Sequence, residues 1–570
     1  MKNHKFMWLV SILLVLSAFL AACSDKTEDA GTKEPVKEEE KPATEAEAPA
    51  EELPQVLNLI ESAEIPSVDS SLSEDAVGFN VLNNIMEGLY RLDADSLPTP
   101  GMADGDAEIS EDGLTYTFKL RDAQWSNGTP VTAHDFVYAW QRAVDPATGS
   151  PYGPFLMAGM IKNATEIGEG TAELADLGVT AVDDKTLVVE LERPVAYFLS
   201  LMSFGTFYPL NEEFVTSKGD AYATSSDNMI YNGPFELSAW DGTGNWKYIK
   251  NEKYWDAATV QLEEINVDVV KETSTAVQLY EQGKKDRVTL SAEYAMQYQD
   301  DPNIINELET AVFYFKLNQE RNGKPTPLAN ADIRKAFARA FDKQEMAEAV
   351  LANGSIAANY LVADQFTYDE NGKDFREYSG EHTSFNPEEA LEYWEKGLAA
   401  LGVDKLEIEI LGGDTENAKK QQEWFKSQFE KHLPGLTIKL KEVPFSVRLD
   451  LDNASDYDVQ SAGWGPDFQD PISFIELFVT TSPQNKMNYS SAEYDALVES
   501  TKTTLANDPV ARFEAFAKAE KLLLDEDTAV VPQYQRGRMV LMNPNVQGLA
   551  THPFGGDYSY KWAYIAEEAK

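Results

Sequence analysis

Residues 113–144, GLTYTFKLRDAQWSNGTPVTAHDFVYAWQRAV, place a strand pattern and a helix pattern on either side of a turn. Apolar and polar side chains alternate over 114–120, the period-two pattern of a half-buried strand. From residue 133 the apolar side chains recur at helical spacing, with Thr132 placed to cap the first turn and Pro146 just past the end. The stretch therefore predicts a strand, a turn and an amphipathic helix in succession.

The same alternation of strand and helix recurs downstream, and no internal repeat is visible. Further strand patterns lie at 262–270, 312–318, 406–411 and 436–443, and further helix patterns lie at 272–283, 331–354 and 417–435. Strands that alternate with helices in this way indicate an α/β fold whose sheets are covered by helices.

The chain is strongly acidic, because 96 acidic residues against 48 basic ones give a formal net charge of −48. Such a charge argues against nucleic acid and against an anionic lipid surface as partners. The part of the chain from Gln55 onward is too long for a single hydrophobic core. Two or three lobes are therefore expected.

The single cysteine, Cys23, follows a pattern typical of an exported protein. Lys2 and Lys5 precede an apolar run over 6–20, and two alanines lead into the cysteine, so residues 1–22 are predicted to be a signal peptide. The sequence Leu-Ala-Ala-Cys resembles the lipobox of bacterial lipoproteins, in which cleavage leaves the cysteine as a lipid-bearing N-terminus. The alternatives are an incidental cysteine in a signal peptide and a short transmembrane anchor.

Residues 23–54 are predicted to be a lipidated cysteine followed by a disordered acidic linker. They are rich in Glu, Lys, Pro, Ala and Thr and contain almost no large apolar side chains, so they cannot bury enough surface to fold. The protein is therefore expected on the outer face of the cytoplasmic membrane of a Gram-positive-type cell, anchored through the lipid on Cys23.

The sequence lacks the common motifs of catalysis and metal binding. The five histidines are scattered without a His-Glu-x-x-His pair, and neither a Gly-x-Ser-x-Gly elbow nor a Gly-x-x-x-x-Gly-Lys loop is present. Asp104 and Asp106 belong to an acidic turn that lacks the glycine of a calcium loop. These observations predict no cofactor, no metal site and no enzymatic activity.

Two stretches resemble a known family of binding proteins. Residues 125–155 (WSNGTPVTAHDFVYAWQRAVDPATGSPYGPF) and 457–478 (YDVQSAGWGPDFQDPISFIELF) resemble the oligopeptide-binding proteins of peptide-importing ABC transporters, the bacterial extracellular solute-binding protein family 5. Shorter matches occur in the same order, at 231–240, 251–256, 331–343 and 529–540. The ordered set is more specific than any one of its members.

The resemblance implies a three-lobed periplasmic-binding-protein-like fold of type II, with a ligand cleft between two hinged lobes. Crossing segments near residues 310 and 533 would form the hinge, and ligand contacts on both sides would favour closure. The expected lobe I comprises 55–86, 212–310 and 534–570, lobe II comprises 87–211, and lobe III comprises 311–533.

The resemblance also implies a set of ligand-binding residues. Asp467 would pair with the α-ammonium group of the peptide, a cation that every peptide with a free N-terminus carries; helix capping or solvation is the alternative. Trp464 would pack on the peptide, or else in the core. Gly463 and Gly465 would let backbone groups approach as in an added β-strand, and Tyr152 would contact the ligand main chain.

Further positions match with less specificity. Ala76 and Glu74 fall in the expected ligand-facing N-terminal loop, and Asn232 matches a contact position that a tight turn explains almost as well. His134 and Asp135 lie in the family's packing helix and are interpreted as structural.

One position departs from the better-known Gram-negative members. Where those proteins carry a basic residue before Ala-Gly-Trp, this chain has Gln460 and Ser461, so capture of the peptide carboxylate would need another cation or longer peptides.

The sequence as a whole predicts a monomeric receptor that binds oligopeptides and delivers them to ABC permease subunits. A receptor of the same fold for another cargo, such as a signalling peptide, a nickel chelate or a sugar, and a lipid-tethered hydrolase are the alternatives.

Overall fold

The computed structural model describes residues 53–567, and the predictions for residues 1–22, for Cys23 and for the linker up to residue 52 lie outside these residues. Within 53–567, the strands form three sheets of four or more strands. In hydrogen-bonding order, the first sheet consists of Val56–Glu61, Glu264–Val269, Trp246–Lys250 and Phe235–Ala239. The second consists of Glu108–Ile109, Thr115–Lys119, Thr186–Glu190 and Val179–Asp183.

The third sheet is mixed. Its order is Arg287–Leu290, Val530–Met542, Ile304–Leu317, Val459–Trp464, Leu406–Gly413 and Leu436–Val443, with Ile356–Ala357 also paired to Val530–Met542. Short two-stranded ribbons pair Tyr90–Leu92 with Pro98–Pro100, Glu320–Arg321 with Lys324–Pro325, Val546–Gln547 with Tyr564–Ile565, and Ala550–Thr551 with Tyr558–Ser559. The α/β class predicted from the sequence is confirmed.

Two long strands, Ile304–Leu317 and Val530–Met542, run antiparallel through the centre of the third sheet. Their register shifts between Leu308 and Val312, an irregularity of the kind that bends a strand locally. It lies near residue 310, where the chain is expected to cross between lobes. The lobe boundaries and the hinge stay predictions.

Helices cover the sheets. Those of seven or more residues in the described part are Ala76–Ile85, Ala133–Val144, Glu212–Lys218, Thr273–Glu281, Ala292–Tyr298, Ala331–Arg339, Pro387–Leu401, Glu416–His432, Phe445–Asn453, Ala492–Lys502 and Pro509–Lys521. None of the helices described is long and apolar enough to cross a membrane.

The strand-turn-helix unit predicted from residues 113–144 is present as Thr115–Lys119 and Ala133–Val144. Asp135 closes the first helical turn, because its carboxylate accepts a hydrogen bond of 2.8 Å from the backbone N–H of Thr132. The helix pattern at 331–354 is also present as helical structure, but it is interrupted at residues 340–342. Asp342 caps a new helical start at Lys343, since its side chain accepts from the backbone of the next turn.

Candidate functional site

A cavity of about 410 Å³ brings together seven of the eight predicted ligand-binding positions. Its walls come from the start of the helix Ala76–Ile85, from the end of the strand Val459–Trp464, from Ile304–Leu317 and from residues 551–558. A volume of this order is typical of a small-molecule or short-peptide site. The predicted residues in the lining are Glu74, Ala76, Tyr152, Gly463, Trp464, Gly465 and Asp467.

Asp467 is a buried acid with an unused oxygen. Its side chain is 5% exposed, and Oδ1 accepts a long hydrogen bond of 3.4 Å from the Tyr152 hydroxyl. Oδ2 has no hydrogen-bond partner among the described residues. Burial raises the pKa of Asp467 well above its ordinary value, because removal from water disfavours the charged form. Burial therefore shifts the carboxyl group toward its neutral form, and a cation entering the cavity would oppose this shift.

Aromatic rings form one wall of the cavity. The indole of Trp464 stacks on Tyr152 with ring centroids 6.2 Å apart and an angle of 5° between the planes. Phe155 meets the same indole edge-on at 6.3 Å. Trp464 is half-buried, so it packs against the core and also presents surface to the cavity.

The strand Val459–Trp464 presents an open edge beside this wall. One side pairs with the long strand over its whole length, but on the other side only Val459 and Gln460 pair with a neighbouring strand in the part of the chain described. Successive residues of a strand direct their backbone groups to opposite sides. The carbonyl of Ser461 points to the open side, where Arg448 donates to it at 2.9 Å, so the N–H and C=O of Gly463 point there too.

The two glycines of this segment differ in what they accommodate. A Cβ on Gly463 would lie 2.8 Å from the ring of Phe313, so packing within the protein already requires glycine there. A Cβ on Gly465 would meet only Ala311, at 3.8 Å. The protein itself leaves room at Gly465, and the space that a side chain would fill belongs to the cavity.

Two adjacent acids lie in the N-terminal wall of the cavity. The sequence predicted Glu74 as a ligand-binding residue but did not single out Asp75. Glu74 is bound by Lys486 at 3.2 Å and by the Asn453 amide at 2.6 Å, so its carboxylate is already neutralised. Asp75 caps the helix through Oδ1, while Oδ2 has no partner in the described chain. Burial raises the pKa of Asp75 to about 7. The capping position was readable from the sequence, but the free oxygen was not.

Asn232 does not line the cavity, which corrects its predicted role. Its side-chain oxygen accepts from the backbone N–H of Glu87 at 3.0 Å, and its amide donates to the Glu87 carbonyl at 2.9 Å. The side chain is 1% exposed. Asn232 thus holds two loops together, and the turn interpretation is the one that fits.

The two residues interpreted as structural behave differently. Asp135 is buried and caps its helix, as described above. The side chain of His134 is 63% exposed and lies 3.6 Å from the 77% exposed Asp184, so it takes little part in packing.

A serine, a histidine and an aspartate also meet outside the cavity, in an arrangement that raises the question of catalysis. Ser379 Oγ lies 3.0 Å from His382 Nε2, and His382 Nδ1 lies 3.1 Å from Asp525. However, His382 is also 3.3 Å from the buried carboxylate of Glu520, and the hydrogen bonds to Asp525 and Glu520 outweigh burial and raise the pKa of His382 to about 9. A protonated imidazole cannot take a proton from Ser379, so the cluster is a structural ion network.

Comparison with known proteins agrees with this geometry. The family described as bacterial extracellular solute-binding proteins, family 5 Middle, matches residues 98–486. This chain belongs to that family. Among family 5 relatives, the dipeptide-binding protein DppE of Bacillus subtilis is 34% identical over 99% of both chains. The structure of Listeria monocytogenes OppA bound to peptide is 48% identical and covers 90% of this chain and 100% of its own, with a TM-score of 0.87. The first of these proteins is named for dipeptide binding, and the second structure is described as bound to peptide.

One family 5 protein also gives a comparison of conformations. The murein tripeptide binding protein MppA of Escherichia coli, 28% identical, matches with a TM-score of 0.80 over 91% of this chain and 99% of its own. Its unliganded open form, with 27% identity and similar coverage, gives a TM-score of only 0.59. The present structure is thus unlike the open arrangement.

Proposed function

We propose that this family 5 protein captures peptides outside the cell and delivers them to the membrane subunits of an ABC importer. The observation that carries the proposal is the pairing of a buried acid, Asp467, with an open strand edge at Gly463 in one cavity. Together these groups match the two features that all peptides share, a terminal ammonium group and a repeating backbone.

The acid supplies charge recognition. A peptide ammonium entering the cavity loses most of its water, and the unused Oδ2 of Asp467 replaces that hydration with a charge-assisted hydrogen bond. Because the carboxyl group has no cation of its own in the described chain, the ligand does not have to displace an existing ion pair.

The strand edge supplies recognition that is independent of side chains. An extended peptide beside Gly463 would add a strand to the third sheet and satisfy backbone groups that lack a strand partner in residues 53–567. Trp464 and Tyr152 would then cover the ligand backbone, while ligand side chains project away.

Closure would bring the predicted lobes II and III together over the ligand. Contacts of the kind expected in a closed state join them here: Tyr152 reaches Trp464 and Asp467, and Tyr197 stacks on Phe468 with centroids 4.2 Å apart. The lower similarity to the open form of MppA supports this interpretation. The two long strands, which include positions 310 and 533, would form the hinge.

The remaining parts of the proposal rest on the sequence. Cys23 would carry the lipid that holds a monomeric receptor on the outer face of the membrane beside its permease. Residues 23–54 would serve as the linker between this anchor and the binding domain.

Titration calorimetry with one peptide in two forms tests the proposal. The wild type should bind the free peptide, and N-acetylation should weaken binding because the cation is lost. Asp467→Asn should weaken binding of the free peptide by roughly thirtyfold to several thousandfold, since truncating such a pair costs on the order of 2–5 kcal/mol. The same variant should discriminate little between the two forms.

Asp106→Asn is the control, because Asp106 is an exposed acid outside the cavity. It should bind both forms as the wild type does. Equal affinity of the wild type for free and acetylated peptide would remove Asp467 from its assigned role. No binding of any peptide would reject the function itself.

A further inference from the structure

Most of the cationic side chains of the cavity are neutralised by carboxylates. Among the described residues, four cationic side chains of lysine or arginine line the cavity, and three of them have a carboxylate partner. The exception is Arg448, for which no ion pair with a carboxylate of residues 53–567 is found. The pairs are Lys316 with Asp452 at 2.8 Å, Lys486 with Glu74 at 3.2 Å, and Arg536 with Glu309.

Arg448 nevertheless has a fixed position. It lies on the helix Phe445–Asn453, packs over the ring of Phe445 at 5.0 Å, and donates from Nη1 to the Ser461 carbonyl at 2.9 Å. A guanidinium has five N–H donors, and this bond uses one of them. The guanidinium group is thus held in place, and most of its N–H donors remain available to a ligand in the cavity.

We propose that Arg448 binds a carboxylate of the peptide ligand. The inference rests on the proposed function and extends it to the second charge of a peptide. A carboxylate fits the guanidinium fork through two parallel hydrogen bonds, a geometry that no carboxylate of the described chain provides. Arg448 thereby supplies the cation that Gln460 and Ser461 do not.

The position of Arg448 also limits the length of ligand that both charges can hold. Its guanidinium contacts Ser461, which precedes Asp467 by six residues. Six extended residues span at most about 20 Å, so a straight peptide held at both ends has about six residues or fewer. A longer ligand would reach Arg448 through an acidic side chain instead of its C-terminus.

The carboxylate therefore has two sources, the C-terminus or an Asp or Glu side chain, and calorimetry with matched peptides separates them. One pair compares a free C-terminal acid with its amide. The other compares an internal Glu with Gln in an amidated peptide. The wild type should prefer the carboxylate form in at least one pair by about tenfold to a hundredfold. The pair that shows the preference identifies the source.

Arg448→Met should abolish that preference while leaving the penalty for N-acetylation intact. Arg448→Lys should retain part of it, because the charge stays and the fork is lost. Arg193→Met is the matched control: Arg193 is also half-buried and donates to one backbone carbonyl, that of Gly159 at 3.1 Å, but it lies outside the cavity lining. This control should behave as the wild type.

Two results would overturn the inference. One is a wild type that binds peptides but ignores the carboxylate in both pairs, a measurement that does not depend on any variant folding. The other is a folded Arg448→Met that keeps the full preference. Both differ from failure of the proposed function, in which the wild type binds no peptide at all.

Discussion

Binding of a peptide should expel a proton from Asp467. In the closed arrangement described above, burial raises the pKa of Asp467 well above its ordinary value, and no cation of residues 53–567 offsets this. A peptide ammonium in hydrogen-bond contact reverses the preference, because an opposite charge favours the ionised form. Below the raised pKa, each bound peptide therefore releases up to one proton.

The size of the effect follows from linkage. Affinity should rise by up to about tenfold per pH unit between the ordinary and the raised pKa, with an upper limit near pH 8, where the ligand's α-amino group itself deprotonates. Asp467→Asn should remove this slope. Asp75 lies in the same cavity and has a pKa raised to about 7, so Asp75→Asn is the comparison variant. Peptide binding to Asp75→Asn should still release the proton from Asp467.

Calorimetry at one pH in two buffers with different heats of ionisation measures the released protons directly. The wild type should show a buffer-dependent heat with the free peptide, and Asp467→Asn should not. Equal heats in both buffers for the wild type would refute the reasoning. So would an Asp467→Asn variant that releases as many protons as the wild type.

The same acid should make the closed arrangement without ligand less stable as the pH rises. A carboxyl group whose pKa is higher in the folded state binds more protons folded than unfolded, so stability falls between the ordinary and the raised pKa, by about 1.4 kcal/mol per pH unit at most. Asp467→Asn should therefore melt at a higher temperature than the wild type at pH 8 while binding peptide more weakly.

Three further predictions concern other parts of the chain. His382 has a pKa raised to about 9, so its protonated form should stabilise the fold by about 3 kcal/mol at pH values below its ordinary pKa near 6.5. In denaturant titrations at pH 6, His382→Gln should therefore be less stable than the wild type by this amount. The difference in stability between the two proteins should vanish as the pH rises past 9. Asp470 forms two hydrogen bonds with Arg512, of 2.6 and 2.9 Å. Asp470→Ala should therefore lower the free energy of unfolding by about 3–5 kcal/mol, because it leaves a buried cation unpaired. Calorimetry below the melting temperature of the variant should show an unchanged affinity for peptide. Cys23→Ser should leave the precursor uncleaved or release the protein from the membrane fraction, as judged by fractionation and blotting; normally processed Cys23→Ser protein in that fraction would contradict the lipid anchor.

The elements that the sequence predicted well are those set by local patterns. The strand at 115–119 and the helix Ala133–Val144 follow from alternation, helical spacing and a cap, all contained within about thirty residues. The interruption within 331–354 was not predicted, because Asp342 can cap a new turn and an acid within a helical pattern does not show whether it will do so.

The candidate site was less accessible because its chemistry depends on which partners a charge acquires. Glu74 and Lys486 are 412 residues apart in the chain and neutralise each other, whereas Asp75, next to Glu74, keeps a free oxygen. Nothing in the sequence shows which of the two acids keeps a free oxygen. Arg448 was missed for the same reason, since its lack of an ion-pair contact within residues 53–567 is a property of the folded cavity.

The narrow part of the third sheet limits how its two ends can move. Between Leu308 and Val312, in the part of the chain described, the sheet is essentially two strands wide, because Arg287–Leu290 pairs only with one end of the ladder and Val459–Trp464 only with the other. A single strand can twist about any axis, but two strands joined by hydrogen bonds on both sides of the irregularity resist shear and torsion. If the proposed hinge lies here, we expect closure to be mainly a rotation about one axis. A single spin-label distance between the two ends would then follow it.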